Sequence, residues 1–299
     1  MREELLDFLK MNDVEIKENI RLCGLSPIKI GGEADIVVYP NSLNQLIDLL
    51  HFLKKIKIRY KILGRMSNVL PPDEKYTPLI IKTDLLNAIS VNDQSVTLHA
   101  GVSIPRLSAM LTSAGLSGLE PLSGIPGSIG GAILGNAGAF GREISELVEY
   151  VTVFDKSEES IIRIAPNVAE FGYRNSVFKR LPIVIFQVKL KLTRSDTQSV
   201  SAEVERYKAI RREKQPVGTP SLGSTFKRPK DGIYAAKLID ECGLKGFSIG
   251  GAQISEKHAG FIVNRGGASA KDYLAIADYA QKCVKNKFGI GLEREVEIL

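Results

Sequence analysis

Glycine is concentrated in one segment of the chain, and this segment carries the strongest chemical signal in the sequence. Its eighteen positions, residues 124–141, include seven glycines, namely Gly124, Gly127, Gly130, Gly131, Gly135, Gly138 and Gly141. Such density costs chain entropy on folding, so something in the local structure must require bare backbone. One explanation is that successive N–H groups wrap a diphosphate, where a Cβ would block close approach. The other is a tight loop of several turns packed against a strand.

The glycine pattern excludes two common nucleotide-binding motifs. The chain contains neither a strict G-x-G-x-x-G nor a G-x-x-x-x-G-K-[ST] sequence, so neither a Rossmann fingerprint nor a P-loop explains the segment. A diphosphate cofactor held by a different fold is therefore the interpretation that the sequence favours.

A second signal is basic charge. The chain has a formal net charge of +6, and residues 202–230 hold eight Lys or Arg against three acids. This surplus is consistent with a solvated basic helix face. It is also consistent with a local anion site, sized for a phosphorylated small molecule rather than for a nucleic-acid duplex.

Three further residues could do chemistry, although each is ordinary when taken alone. Arg174 lies in Tyr173-Arg-Asn-Ser176, Ser224 follows Gly223 inside the basic segment, and Glu295 lies in an alternating stretch near the C-terminus. By themselves they are typical of a surface arginine, a structural turn and an outward-facing edge charge. A serine hydrolase is not indicated, because Ser224 lacks the G-x-S-x-G elbow and no histidine lies in a partner motif.

The elements that must position these residues begin with a β-α-β unit. Residues 34–39 are predicted to form a strand, Ser42 to cap a helix at its N-terminus, and Tyr60–Leu63 to form a second strand that ends at Gly64. The loop 64–70 would then lie at the carboxyl end of a strand, where α/β folds commonly bind ligands.

Beyond Leu79 the pattern changes to short strands around one helix. Strands are predicted at 79–82, 96–99, 150–154 and 183–188, and the helix carries Leu107 and Leu111 on one face, with Gly115 as its C-cap. The polar stretch 192–199 is the predicted domain boundary. Helices at 201–213, 233–242 and 270–287 and a final strand near 293–298 follow it.

Composition excludes several classes of protein. The chain has 299 residues, 44% hydrophobic and 25% charged, which is a globular profile of two or three domains. It has no apolar run of membrane-spanning length and no signal-peptide pattern. Three widely spaced cysteines and three histidines argue against a disulfide framework and a metal site, and they favour a reducing cytosol. No aromatic platform for nucleic-acid bases stands out.

Taken together and in order, the motifs resemble the UDP-N-acetylenolpyruvoylglucosamine reductase (MurB) family, in the short subclass that lacks an extra tyrosine loop. The resemblance covers nearly the whole chain. Its motifs are Lys29-Ile-Gly-Gly-Glu-Ala34, Ser67-Asn68, Gly118-Leu-Glu, Gly124-Ile-Pro-Gly-Ser-Ile-Gly-Gly131, Asn136-Ala-Gly-Ala-Phe-Gly141, Tyr173-Arg-Asn-Ser176, Gly223-Ser224, Leu238-Ile-Asp, Gly243-Leu-Lys-Gly246, Ser255-Glu-Lys-His-Ala259 and Phe288-Gly-Ile-Gly-Leu-Glu-Arg-Glu-Val296.

The resemblance implies an α+β fold, with a two-part FAD-binding region of the vanillyl-alcohol-oxidase/PCMH type and a C-terminal α+β substrate-binding domain. Its predicted parts are residues 1–78, 79–200 and 201–299, with the last strand, 290–299, returning toward the FAD site. The residues implied to bind FAD are Gly64, Ser67, Asn68, Gly124, Gly127, Ser128, Gly130, Gly131, Asn136, Gly138, Gly141 and Arg211.

The resemblance also implies a reaction, in which NADPH reduces FAD and the flavin reduces the enolpyruvyl ether of a UDP-sugar, giving UDP-N-acetylmuramate for the cell wall. Arg174 would stabilise the substrate carboxylate with its planar fork. Glu295 would help to disperse the developing charge if it shares a proton with that carboxylate. Ser224 would deliver the final proton to carbon, assisted by the charges of Lys214 and Lys227. Lys214 and Arg228 would face the UDP diphosphate.

This sequence departs from the family pattern at a few positions. Arg65-Met66 replaces the small residues that usually precede Ser-Asn, and Arg228 replaces an Asn. Two alternatives therefore accompany the reductase hypothesis: another flavin oxidoreductase of the same fold, and a non-catalytic relative that binds FAD or a UDP-sugar. A nucleic-acid partner is a third and weaker alternative, since only the basic segment suggests it.

Overall fold

The computed structural model describes residues 2–299. The α-helices of these residues are α1 (Arg2–Met11), α2 (Leu43–Lys55), α3 (Ile104–Ser113), α4 (Ile129–Leu134), α5 (Thr197–Lys214), α6 (Ala235–Glu241) and α7 (Ala270–Phe288).

Most of the strands are short. They are β1 (Glu15–Arg21), β2 (Glu33–Tyr39), β3 (Tyr60–Leu63), β4 (Val69–Leu70), β5 (Leu79–Lys82), β6 (Ile89–Asn92), β7 (Ser95–His99), β8 (Leu116–Ser117), β9 (Gly138–Ala139), β10 (Arg142–Glu143), β11 (Val148–Asp155), β12 (Ser160–Ile164), β13 (Ile183–Lys191), β14 (Thr193–Arg194), β15 (Ser221–Ser224), β16 (Ser248–Ile249), β17 (Ala252–Ile254), β18 (Phe261–Asn264) and β19 (Glu297–Ile298).

The chain divides into two compact units, and both are discontinuous in sequence. The first unit consists of residues 2–18, 36–65 and 78–209, and the second consists of residues 19–35, 66–77 and 210–299. The three-part division expected from the sequence stays a prediction.

The first unit contains a sheet in which β2, β5 and β3 pair in parallel, with β5 in the middle. Every residue of β5 is buried, as is typical of a central parallel strand. Helix α2 begins where the Ser42 hydroxyl accepts a hydrogen bond from the Gln45 amide, and its buried leucines pack in the core of this sheet. The predicted β-α-β unit is therefore confirmed.

The first unit also contains an antiparallel sheet of order β12-β11-β13-β7-β6. Its register pairs Val151 with Val188, and Val188 with Leu98, so apolar side chains line one face of three neighbouring strands. Helix α3 packs in the same core and ends next to Gly115, which has a left-handed φ of 63°. Helix α4, which lies within the glycine-rich segment, contributes Ile129, Ala132 and Ile133 to this core.

The second unit contains an antiparallel sheet of order β15-β18-β17-β16, and helices α6 and α7 share a core with it. Helix α7 begins at a capping box formed by Ser269 and Asp272, and it ends at Gly289 with a φ of 72°. Asp73 reinforces its first turn, because its carboxylate accepts from the amides of Ala270 and Lys271 at 2.7 and 3.0 Å.

Two expectations about element boundaries were wrong. Helix α5 begins at Thr197, four residues before the predicted 201, so the polar stretch 192–199 contains β14 and the start of this helix. The side chain of Asp196 accepts from the Ser199 amide at 2.8 Å and so begins this helix. The final strand covers only Glu297–Ile298 rather than 293–298.

Candidate active site

Ser224 is the last residue of β15, and a bulge sets its direction. The pairing of β15 with β18 shifts register between Ser221 and Ser224. Gly223, with a φ of 79°, adopts the backbone conformation that such a bulge needs and that a side chain would strain. The half-buried Ser224 is thus held on an ordered strand end.

A buried polar pair lies directly behind this strand end. The hydroxyl groups of Thr225 and Tyr273 are 3.1 Å apart, and both side chains are buried. Burial raises the pKa of Tyr273, so the phenol stays neutral and hydrogen-bonded. Sequence reasoning missed this pair, since a tyrosine at helical spacing in α7 is indistinguishable from an ordinary core residue.

Glu295 lies beside the Ser224 segment. Its amide donates to the Thr225 carbonyl at 2.8 Å, and the Lys227 amide donates to the Glu293 carbonyl at 2.9 Å. Glu295 is half-buried and lies outside the short final strand. The structure therefore brings two of the three predicted catalytic residues, Ser224 and Glu295, onto neighbouring backbone segments.

The same C-terminal segment also contacts the loop that carries Ser67 and Asn68. The Asn68 side-chain amide donates to the Glu295 carbonyl at 3.0 Å. The Glu297 amide donates to the Asn68 carbonyl at 3.0 Å, and β19 then pairs in parallel with β4. Met66, in the same loop, is buried with a left-handed φ of 55°, a conformation that glycine would adopt with less strain. Ser67 is half-buried.

Arg174, the third predicted catalytic residue, belongs to the first unit. It has a left-handed φ of 52° in a turn closed by hydrogen bonds between Gly172 and Asn175. Its guanidinium donates to the Gly138 carbonyl at 3.2 Å. The structure thus places Arg174 next to the glycine-rich segment, and its convergence with Ser224 and Glu295 stays a prediction.

The side chain of Asn136 connects the glycine-rich segment to the turn 172–175 that carries Arg174, here called the arginine turn. Its side-chain amide donates to the Glu143 carboxylate at 2.7 Å and to the Gly172 carbonyl at 3.1 Å, and its oxygen accepts from the Ser145 amide at 3.2 Å. Because this buried side chain is committed to protein partners, it supports positioning of the arginine turn. A cofactor contact by Asn136 stays a prediction.

The glycine-rich segment is explained in part by packing. A Cβ at Gly130 would lie 2.9 Å from the Ala100 Cβ, and the amides of Ile129 and Gly130 donate to the carbonyls of Val102 and Ala100 at 2.8 Å. Ser128 caps α4 and accepts from the Gly131 amide at 3.4 Å. These amides have protein partners in the structure, and contacts of Gly130, Gly131 and Ser128 with a cofactor stay a prediction.

Gly141 and Gly138 are required for different reasons. Gly141 has a φ of 80° and open space around it, so its need is conformational. A Cβ at Gly138 would lie 3.1 Å from the Arg142 carbonyl oxygen and 3.4 Å from the Arg174 guanidinium. Gly127 accepts from the Ile104 amide at 3.1 Å, and Gly124 is half-exposed in the preceding loop.

Gly64 begins the loop after β3 and lies close to Ser128. A Cβ at Gly64 would meet the Ser128 hydroxyl oxygen at 2.2 Å, so a side chain at this position would displace the hydroxyl that caps α4. Its carbonyl accepts a hydrogen bond from Lys82, the last residue of β5. Sequence reasoning missed Lys82, which is 3% exposed, because a lysine after three apolar residues is typical of a strand leaving the core.

The predicted cationic residues differ in their surroundings. Burial lowers the pKa of Arg211, which is consistent with a partly buried guanidinium near the end of α5. Lys214 ends that helix and is exposed. Arg228 forms an ion pair with Asp231 at 3.5 Å, and Lys227 pairs with Glu293.

The structure also bears on metal and membrane binding. Within residues 2–299 no group of three or more His, Cys, Asp or Glu side chains is arranged to hold a metal ion. None of the helices in the same residues is both long enough and apolar enough to cross a membrane.

Comparison with known protein families identifies the class of protein first. Residues 34–165 match the FAD binding domain family. Residues 215–299 match the family of UDP-N-acetylenolpyruvoylglucosamine reductase C-terminal domains. The FAD-binding fold class predicted from the sequence, with its separate C-terminal domain, is confirmed.

Individual relatives give the same answer. A UDP-N-acetylenolpyruvoylglucosamine reductase of Thermotoga maritima is 44% identical over 91% of this chain and 94% of its own length. One from Caldanaerobacter subterraneus subsp. tengcongensis is 38% identical over 100% of this chain and 99% of its own. The crystal structure of the MurB enzyme from Thermus caldophilus matches with a TM-score of 0.81 and 31% identity, over 95% of this chain and 99% of that one. This chain belongs to the UDP-N-acetylenolpyruvoylglucosamine reductase family.

Proposed function

We propose that this protein reduces UDP-N-acetylenolpyruvoylglucosamine to UDP-N-acetylmuramate, a precursor of peptidoglycan, with FAD as cofactor and NADPH as electron donor. The proposal rests on the relatives that carry this name and match nearly the whole chain. The observation that carries it is the placement of Ser224, Glu295 and Asn68 on adjoining segments of the second unit.

The residues present fit a flavin cofactor with a diphosphate. The loop 64–70 follows a parallel strand, and the carboxyl edge of a parallel sheet is a common ligand site. Arg65, which is exposed in this loop, adds positive charge there. FAD, when bound, would supply hydride transfer between NADPH and the terminal carbon of the enolpyruvyl group. In our proposal the loop 64–68, the glycine-rich segment and Arg211 hold it.

The chain's own residues would then manage charge and protons on the substrate. Hydride addition to the terminal carbon leaves negative charge on the adjacent carbon and its carboxylate, so the barrier depends on stabilising that anion. Arg174 offers two parallel N–H donors to the carboxylate. Glu295 would share a proton with it. Ser224 would then donate its hydroxyl proton to the carbon, completing the lactyl ether.

Lys227 would assist Ser224 less directly than the sequence suggested. Its ammonium forms an ion pair with Glu293, so part of its charge is compensated. We infer that Lys214 and Arg228 supply the charge that faces the UDP diphosphate. The Arg228 ion pair with the largely exposed Asp231 is a surface contact, which costs little to break when a diphosphate binds.

Anaerobic flavin spectroscopy tests the proposal. The purified protein should carry a yellow flavin that NADPH bleaches, and addition of the enolpyruvyl sugar nucleotide should restore the colour and give a product with two more hydrogens. Flavin that is reduced but not reoxidised by this substrate would favour another flavin oxidoreductase. A protein that takes up no FAD would favour a non-catalytic relative.

We further propose that the protein acts in the cytoplasm, where its nucleotide substrates are made. The three cysteines are unpaired in the structure, as a reducing compartment allows. Detection of the enzyme in a cell-wall or extracellular fraction, and its absence from the cytosolic one, would reject this location.

A further inference from the structure

Lys82 is a buried cation that the proposed chemistry does not use. It ends β5 with only 3% of its surface exposed. Burying an ammonium group is costly unless it is paired and hydrogen-bonded, so its partners show what the residue is for. A lysine kept in this position at such a cost points to a specific contact rather than to core packing.

Two contacts hold the Lys82 ammonium in place. It donates a hydrogen bond to the carbonyl oxygen of Gly64, and it forms an ion pair with Asp84 at 3.1 Å. Gly64 is the first residue of the loop after β3, so Lys82 ties the end of the central strand to the start of that loop.

The Gly64 contact fixes the orientation of a whole peptide group. No cis peptide bond occurs in the described part of the chain, so the bond between Gly64 and Arg65 is trans. In a trans peptide the carbonyl and the N–H point in opposite directions. When Lys82 holds the Gly64 carbonyl, the Arg65 amide is turned away from Lys82, toward the opposite side of the peptide plane.

We propose that Lys82 is a positioning residue for the cofactor diphosphate: by holding the Gly64 carbonyl it presents the Arg65 amide, with the Arg65 charge beside it, to the phosphate oxygens. This inference rests on the proposed function, since it assumes that the loop 64–68 binds FAD.

The surroundings of Lys82 change the pKa of its ammonium group. Burial lowers the pKa of Lys82, Asp84 opposes this effect, and the Arg65 charge adds to it. Tyr39, at the end of the neighbouring strand β2, also faces Asp84. Burial, Asp84 and Glu15 raise the pKa of Tyr39 to about 12, so the phenol stays neutral where Lys82 titrates.

The first experiment measures FAD and ADP binding to the apoprotein by isothermal titration calorimetry. Lys82→Met should weaken both ligands by the same factor, about 10- to 100-fold, which is typical for loss of a charge-assisted hydrogen bond. ADP keeps the diphosphate and lacks the flavin ring, so equal loss assigns the effect to the diphosphate. Lys61→Met is the matched control, because Lys61 is an exposed lysine on the adjacent strand β3, and it should leave both affinities unchanged.

The second experiment uses pH. As pH rises through the lowered pKa of Lys82, the ammonium loses its charge, so FAD affinity of the wild-type protein should begin to fall at a pH below the ordinary pKa of lysine. Lys82→Arg keeps its charge and should remove this fall. Asp84→Asn removes the partner that favours the ammonium, so the midpoint should move to lower pH. Ionisation of the ligand itself is common to all three proteins and cancels in the comparison.

The outcomes separate this inference from the proposed function. A wild-type protein that binds no FAD would reject the proposed function. FAD binding by the wild type that Lys82→Met does not weaken, or that weakens without a matching loss for ADP, would reject only the role of Lys82. If Lys82→Met does not fold, the decision passes to the pH profiles of Lys82→Arg and Asp84→Asn. Profiles that coincide with the wild type would then overturn the inference.

Discussion

The side-chain amide of Asn68 donates a hydrogen bond to the backbone carbonyl of Glu295 at 3.0 Å. This contact joins a residue proposed to bind the cofactor to the segment that carries a residue proposed to bind the substrate. Cofactor binding and substrate reduction are therefore both expected to depend on this one hydrogen bond within the second unit. A change at Asn68 should affect both.

Asn68→Asp should impair the enzyme without a large change in side-chain volume. A carboxylate cannot donate to the Glu295 carbonyl and would face it acceptor to acceptor, a defect that typically costs about 1–3 kcal/mol. We expect reoxidation of the flavin by substrate to slow about tenfold or more, as measured by stopped-flow absorbance. An unchanged rate in a variant that still binds FAD would show that the contact does not position Glu295.

Ser224→Ala should separate the two half-reactions. Flavin reduction by NADPH does not need the Ser224 proton and should remain nearly intact. Product formation should slow about 10²–10⁴-fold, the usual effect of removing a positioned proton donor. Rapid mixing measures both steps in the same preparation. Equal losses in the two steps would reject the proton-donor role and would indicate a structural one.

Gly130→Ala should destabilise the protein even without cofactor. The added methyl group would lie 2.9 Å from the Ala100 Cβ, and overpacking of this kind costs about 1–3 kcal/mol. Gly135→Ala is the matched control, because it has a φ of −98° and its Cβ would make only an ordinary contact at 3.6 Å. Thermal unfolding of the two apoproteins measures the difference. Equal melting temperatures, with weaker FAD binding in Gly130→Ala alone, would instead assign this glycine to the cofactor.

His258 should make the protein less stable in mild acid. Burial lowers the pKa of His258, and its Nδ1 accepts from the Gly260 amide at 3.1 Å. The unfolded chain therefore binds more protons than the folded one, so the free energy of unfolding falls as pH drops below the ordinary histidine value of about 6.5. His258→Gln should reduce this slope. It should not abolish it, because burial also lowers the pKa of His99. An NMR titration that places the His258 pKa above that ordinary value would contradict the prediction.

The sequence predicts the β-α-β unit well because local and tertiary signals agree there. The strands β3 and β5 have the predicted bounds, since Gly64 follows the first strand directly and Pro78 directly precedes the second. The C-terminal strand was overestimated for a physical reason. Residues 293–295 form their hydrogen bonds with the Ser224 segment, and only Glu297–Ile298 pairs with β4. Alternating polarity predicts an extended chain, but it does not identify the neighbours.

The candidate site was predictable where it depends on residue type and not where it depends on tertiary neighbours. Ser224 and Glu295 were identified by motif, and the structure brings their segments together. The role of Gly130 was not predictable, because the reason for a glycine there is the Cβ of Ala100. Lys82 was missed for the same reason, since only its contacts with Gly64 and Asp84 distinguish it from an exposed lysine.

The discontinuity of the second unit has a consequence for how the protein is made. Ile28, Ile30 and Leu70 belong to the same core as the last helix and the residues after it. During synthesis these three side chains leave the ribosome early. They cannot be buried in their core until the residues of the last helix and those after it have also emerged. The first unit ends at residue 209, so it can fold before the second unit has been synthesised. Nascent chains arrested shortly before release should therefore be protease-resistant in the first unit and still sensitive in the second.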